Sequence, residues 1–289
     1  MRKVTLIIAI FCVLPAQVLF ALFVIPAYAA YTPNDPLYSR QTYLTHIHAA
    51  DAWSLTTGSE DIVIAVLDSG IDIDHPDLSS AIWQNPAEIP GDKVDNDGNG
   101  YVDDIRGWDF INDIPDPRPK FGGDFLYAGI HHGTLIAGII AARGNNGLGI
   151  TGISWKSRIM PLRVLTNQGE GTVYDVVRAI DYAIDKKVDI INLSFIGSEE
   201  SVYLRSALKR ALDAGIVVVT ASGNNEAGMR GYDLGEKPVY PACFNGSLDG
   251  LIRLQREVAE QQQQKALRLG ERATSRRQPH TDKKTRKSR

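Results

Sequence analysis

The stretch Asp61-Ile-Val-Ile-Ala-Val-Leu-Asp68-Ser-Gly70 constrains the fold more than any other. An apolar run without polar alternation, set between two acids, suits a strand covered on both faces, the central position of a parallel sheet. Asp68 then sits at the strand's carboxyl end, where open α/β sheets gather their chemistry. Taken alone, an Asp before a Gly is equally a turn-capping residue. Downstream, the apolar period alternates: strand at 158–165, helix at 172–186, strand at 188–193, helix at 199–214 closed by Gly215, strand at 216–220. In the first of these helices Val173, Val176, Val177, Ile180, Ala183 and Ile184 form one stripe. Strands alternating with helices predict an α/β fold with a doubly wound parallel β-sheet flanked by helices.

The N-terminus carries Met1-Arg-Lys3, an apolar run over 4–25 interrupted, after Thr5, only by Pro15 and Gln17, and Ala27-Tyr-Ala29. These are the three parts of a secretory signal, with cleavage expected after Ala29 and an uncleaved signal anchor as the rival. Cleavage removes Cys12 and leaves Cys243 alone, so no internal disulfide is expected. The formal net charge of −3 hides an asymmetry, because residues 251–289 hold twelve Lys and Arg against four Asp and Glu. The body is therefore acidic and the tail basic; such a tail suits nucleic acid or an anionic surface, but on an exported chain it reads as solvated, and no nucleic-acid partner is expected.

Three blocks carry a family resemblance. Val66-Leu-Asp68-Ser-Gly70-Ile-Asp, with His75-Pro-Asp77-Leu78 after it, resembles the aspartate block of the subtilisin-like serine proteases. His132-Gly-Thr-Leu-Ile-Ala-Gly138 resembles that family's histidine block, and Ala221-Ser-Gly-Asn224 its oxyanion-asparagine block. Tyr31-Thr-Pro-Asn-Asp-Pro36 is similar to the thermitase-like branch. The resemblance implies a three-layer peptidase fold in which His132 is the base, Asp68 its orienting carboxylate and Asn224 the oxyanion donor. It also implies that Ser194, Phe195, Ile196 and Gly197, where the family has Ser-Leu-Gly-Gly, pair with a substrate peptide by β-augmentation, and that Ala221, Ser222 and Gly223 border the same site. Ile196 stands where the family has Gly, so its branched side chain narrows the primary pocket.

His132 is expected at the start of a helix with Leu135, Ile136, Ile139 and Ile140 on one face and Ala137, Gly138 and Ala141 on the close-packing side. Leu135 replaces the family's second histidine. Before Asp61, residues 31–52 read as an arm laid over the surface, with a short helix at 49–53.

Two loops suit Ca2+. In the insertion at 85–106, the side-chain oxygens of Asp95, Asp97 and Asn99, the carbonyl of Tyr101 and an acid at Asp103 or Asp104 match the first part of an EF-hand-like loop. The twelfth position is Arg106 in place of a bidentate Glu, so a ligand must be borrowed, and an Asx/Gly turn cluster without metal is the alternative. Gly144-Asn-Asn-Gly-Leu-Gly149 follows a helix, which excludes a dinucleotide fingerprint. It resembles the family's first calcium loop, which implies that Asp35, Asp77, Asn146 and the carbonyls of Leu148 and Ile150 hold one ion; a plain glycine loop is the alternative.

From Gly246 the composition turns to Arg, Lys, Gln and Ser; a weak helix at 251–269 is expected and no further strand. The family's Gly-Thr-Ser-Met-Ala block, which carries the nucleophile, does not occur, and none of Ser247, Ser275 or Ser288 has such a setting. The expected organisation is a signal at 1–29, a partial peptidase domain at 30–245, incomplete at its C-terminus by truncation or a shifted reading frame, and a basic tail at 246–289. Two functions compete: a monomeric subtilisin-like endopeptidase acting on peptide or protein substrates, inactive as written, and a non-catalytic calcium- and peptide-binding fragment.

Overall fold

In the computed structural model of the chain, residues 31–121, 127–224 and 233–254 are described. The expected signal at 1–29 and the tail beyond residue 254 lie outside them. The strands are β1 (Val63–Asp68), β2 (Trp108–Asp109), β3 (Arg158–Arg163), β4 (Ile190–Leu193), β5 (Val217–Ala221) and β6 (Leu251–Leu254). They form one parallel sheet in the order β2-β3-β1-β4-β5-β6. The central position expected for the 61–70 run is correct, and Asp68 is the last residue of its strand.

The helices are α1 (Thr42–His46), α2 (Ala49–Trp53), α3 (Tyr127–Ala141), α4 (Val173–Asp185) and α5 (Val202–Asp213). On one face of the sheet Ile64, Val66 and Ile159 pack with Ala137 and Ala141 of α3. On the other, Ala65, Leu67, Met160, Leu162 and Ile191 pack with Val176, Ile180, Leu204 and Leu208 of α4 and α5. This is the expected three-layer α/β arrangement. Both outer helices are capped by their own sequence: the Thr172 and Ser201 side-chain oxygens accept the Asp175 and Leu204 N–H groups. At its end α5 runs into Gly215 at φ +83°, a conformation that glycine adopts without strain.

The side of α3 expected to pack closely, with Ala137, Gly138 and Ala141, is the one against the sheet; of the branched face, Ile136 and Ile140 pack at its margin and Leu135 and Ile139 are exposed. Small side chains let the helix axis approach the sheet closely, which leaves Leu135 and Ile139 on the solvent side of the contact. Residues 251–254 form β6, not a helix, in register with 218–221 of β5. Four residues flanked by turn and polar sequence carry too little period to separate strand from helix, and pairing with β5 decides the matter. The strand β2 was not foreseen at all, since two residues have no period.

The arm before β1 docks as expected. Leu44, Ala49 and Trp53 cluster with Trp155, Trp53 Nε1 donates to the Ile153 carbonyl at 2.9 Å, and the Leu37 N–H donates to the Gly149 carbonyl at 2.9 Å. These contacts bring Asp35 to the 144–150 loop.

Candidate active site

Helix α3 crosses the carboxyl end of β1, and its sixth residue, His132, meets Asp68. His132 Nδ1 lies 2.9 Å from each carboxylate oxygen of Asp68. The carboxylate is buried and the imidazole partly exposed. Asp68 Oδ1 also accepts the Ser69 N–H at 2.7 Å. With the Nδ1 proton given to Asp68, Nε2 keeps a lone pair for an incoming proton. The helix begins at Tyr127, so His132 sits in its second turn and not at its start as expected.

Two glycines permit this approach. A Cβ on Gly133 would lie 2.3 Å from the Gly70 carbonyl oxygen and 3.0 Å from Asp68 Cβ, so the helix can lie here only with a bare backbone next to His132. Gly70, at φ +106°, has the Pro117 carbonyl oxygen 2.8 Å from where its own Cβ would be. Thr134 Oγ1 accepts the Asp72 N–H at 3.0 Å, which ties the helix to the turn after β1.

The hydrogen bond to Asp68 raises the His132 imidazole above the ordinary histidine range; burial opposes the rise and the Asp68 charge adds to it. Folded His132 therefore holds its proton more tightly than the unfolded chain does. That stabilisation is complete below the unfolded-state pKa and is lost as pH rises through the folded-state value. The neutral base exists only above the folded-state value. Asp68→Asn removes the charge, and the His132 midpoint in an NMR titration is expected to move down toward the ordinary range. An unmoved midpoint would mean that the carboxylate does not hold the imidazole in solution.

The other expected site residues follow neighbouring strands. Because all six strands are parallel, the ends of β1, β4 and β5 share one edge of the sheet, and this edge carries Asp68, Ser194–Gly197 and Ala221–Asn224. Asn192 Nδ2 donates to Ser194 Oγ at 2.8 Å, Phe195 packs against the larger core cluster, and Ile196 is half-buried. Gly197 is paired within the chain: its N–H donates to the Tyr240 carbonyl at 2.8 Å and its carbonyl accepts the Tyr240 N–H at 2.9 Å. Of the stretch expected to pair with peptide, Gly197 is thus already occupied. Ser222 is buried, Gly223 has φ +81°, and Asn224 is exposed three residues past β5.

The acidic insertion groups one carboxylate each from Glu88, Asp95 and Asp97 within 4.8 Å. Glu88 escaped the sequence reading because it precedes Asp95 by seven residues, outside the spacing of the loop. Its Oε1 accepts the Asn96 and Asp97 N–H groups at 2.8 and 3.1 Å and its Oε2 the Asp103 N–H at 3.1 Å, which folds the loop around it. Asp95 accepts the N–H groups of Gly98, Asn99 and Gly100. Burial opposes ionisation of Asp97, yet hydrogen bonds from Asn85 and Lys186 hold its carboxyl below the ordinary range. Asp104 is buried, accepting from Asn85, from Asn99 and from the Tyr182 hydroxyl at 2.7 Å. Asp103, at φ +58°, turns to the Gly91 and Lys93 N–H groups. The Tyr101 ring packs edge-on against Trp108, Phe110 and Tyr182, and its N–H donates to Asn99 Oδ1. Three hard oxygen donors this close suit a divalent cation.

Asp35 and Asp77 are both buried and are joined through the 144–150 loop. Asp35 accepts the Asn145 and Asn146 N–H groups at 2.7 and 3.2 Å, while Asp77 accepts Asn146 Nδ2 at 2.8 Å and the Ile150 N–H at 3.0 Å. The Leu148 N–H donates to Asn146 Oδ1 at 2.8 Å. The expected ligands Asp35, Asp77 and Asn146 are therefore neighbours.

Comparison with known proteins agrees with this architecture. Residues 59–249 match the model of the Subtilase family. The chain is 35% identical over 219 residues to Thermitase of Thermoactinomyces vulgaris, covering 75% of this chain and 64% of that protein. It is 36% identical over 198 residues to Thermophilic serine proteinase of Bacillus sp. (strain AK1), covering 68% of this chain and 42% of the relative. The chain thus spans less than two thirds of the length of these curated relatives. Among solved structures, a protease from Pseudoalteromonas arctica superposes with a TM-score of 0.56 at 27% identity, over 77% of this chain and 65% of that one. A family match over most of the chain, on a parallel sheet whose central strand ends in an aspartate bound to a helical histidine, establishes that this chain belongs to the subtilase family.

Proposed function

We propose that this chain carries the aspartate, histidine and oxyanion groups of a serine-type endopeptidase, with His132 as general base, Asp68 as its orienting carboxylate and Asn224 as the oxyanion donor. The observation that carries this reading is the bond of His132 Nδ1 to both oxygens of a buried Asp68. In such a site the base takes the proton of a serine hydroxyl as its oxygen attacks the peptide carbonyl. It then returns that proton to the leaving amine, while the carboxylate holds the tautomer and stabilises the imidazolium. The serine is the part the 289 residues do not supply in a Gly-Thr-Ser-Met-Ala setting. We therefore propose that the chain by itself binds peptide without turnover. Incubation with a generic peptide substrate and a serine-directed phosphonate is expected to give neither hydrolysis nor labelling. Covalent labelling at a serine of this chain would overturn the inactive reading.

We further propose that Ca2+ is held by Glu88, Asp95 and Asp97 in the insertion and by Asp35, Asp77 and Asn146 beside the N-terminal arm. When bound, the ion supplies a cross-link between loops and neutralises carboxylates that otherwise repel one another. At calcium one hundredfold above Kd the stabilisation is about 2.7 kcal/mol, which in a domain of this size raises Tm by about 5–10 °C. Melting curves in millimolar calcium and in chelator are expected to differ by that amount, and Glu88→Gln to reduce the difference. Superimposable curves would remove the metal from this reading. The apolar run at 4–25 supports export as the route by which such a domain reaches its substrates.

A further inference from the structure

Behind Asp68 lies a buried ion pair that the chemistry above does not use. Arg163 is 2% exposed and Asp109 fully buried. Arg163 Nη1 donates to both Asp109 oxygens at 3.0 and 2.8 Å. Its Nε donates to the Ser69 carbonyl at 3.2 Å, and its Nη2 to Asn167 Oδ1 at 3.2 Å. The sheet register explains the arrangement. Asp109 of β2 is opposite Arg163 of β3, which is opposite Asp68 of β1. Residues at one register in adjacent parallel strands project to the same face; the pairs Ile64–Ile159 and Ala65–Met160 obey this, each falling in one core cluster. A row of alternating charge, carboxylate, guanidinium, carboxylate, therefore crosses three strands at their carboxyl ends on the face covered by α3.

The middle group acts on one residue. Ser69 donates its N–H to Asp68 Oδ1 at 2.7 Å, and its carbonyl accepts from Arg163 Nε. Arg163 thereby fixes the residue whose N–H fixes the carboxylate, and its fixed anchor is Asp109. That anchor is itself held by the Ile111 and Asn112 N–H groups at 3.0 and 3.1 Å and by Asn112 Nδ2 at 2.7 Å, with Lys120 Nζ 4.0 Å away.

We propose that Arg163, anchored by Asp109, is a positioning residue for the Asp68–His132 couple, acting through the Ser69 carbonyl and joining the turn after β1 to the 166–168 loop through Asn167. The proposal rests on the Asp68–His132 reading, and the experiment separates the two. Arg163→Met alone leaves Asp109 buried without its partner and also changes the net charge near Asp68. The decisive variant is therefore Arg163→Met/Asp109→Leu, which removes both charges together and leaves the net charge of the row as it was. Such exchanges of a buried pair for apolar side chains are tolerated by folds. The readout is the His132 imidazole titration by NMR, assigned with His132→Gln, alongside a thermal melt. Wild type and Asp68→Asn mark the two ends of the scale. The folded double variant is expected to cover at least half of the distance from wild type to Asp68→Asn, with Arg163→Lys retaining most of the wild-type value. A folded double variant that titrates like wild type would overturn the positioning role. Should the double variant fail to fold, Arg163→Gln/Asp109→Asn, which also removes both charges together but keeps polar side chains in their place, is used under the same two outcomes. If Asp68→Asn itself leaves the titration unmoved, the Asp68–His132 reading fails, independently of Arg163.

Discussion

A chimera in which the residues beyond Asp249 are replaced by the matching portion of Thermitase hydrolyses a peptide substrate, and His132→Ala in that chimera lowers kcat by about 10⁶. The graft point is chosen from the fold: the family match ends at residue 249, and β6 begins two residues later in register with β5. The sheet edge that holds Asp68, Ser194–Gly197 and Ala221–Asn224 is thus left as it stands. A serine at the mouth of that edge then meets a base whose Nδ1 is already committed to Asp68, which leaves Nε2 as the nitrogen that takes the proton. Removing the base from such a constellation costs about 10⁶, and removing its carboxylate about 10⁴, because the residual rate comes from the oxyanion site and binding. Asp68→Ala is accordingly expected to be the milder of the two by about a hundredfold. Steady-state kinetics decide: a loss of under tenfold on His132→Ala would show that another group takes the serine's proton.

The central strand and its terminal aspartate were legible because an uninterrupted apolar run has few other places to go in an α/β chain. Helices α4 and α5 were legible because their stripes are long enough to fix a period; they start and stop within a few residues of expectation. What stayed hidden depends on partners distant in sequence. The strands β2 and β6, of two and four residues, exist because β3 and β5 offer them an edge. Glu88 joins Asp95 and Asp97 only once the loop has folded back on itself. Arg163 read as the polar end of a strand, and nothing local marks it as the partner of Asp109, 54 positions earlier. The exposure of Leu135 and Ile139 has a similar origin: Ala137 and Ala141 fill the centre of the contact with the sheet, Ile136 and Ile140 its margin, and Leu135 and Ile139 are left beyond it.

The burial of the Arg163–Asp109 pair leads to the largest expected effect on stability. Asp109→Ala leaves a guanidinium that is 2% exposed without the carboxylate bonded to it. Among the described residues its other hydrogen-bond partners are the Ser69 carbonyl and the Asn167 side chain, neither of which carries charge. Breaking such a pair on one side costs about 3–5 kcal/mol, a large share of the stability of an ordinary domain. In urea, with a slope of about 2 kcal/mol per molar, the midpoint is expected to fall by about 2 M. The comparison that isolates burial is Lys209–Asp213 on α5, whose side chains are 62% and 60% exposed. Asp213→Ala removes a carboxylate of the same kind and is expected to cost less than about 0.5 kcal/mol, since exposed pairs on a helix are screened and poorly held. Equal midpoints for the two variants would mean that water reaches Arg163 and that the charge row at the end of the sheet is not sealed.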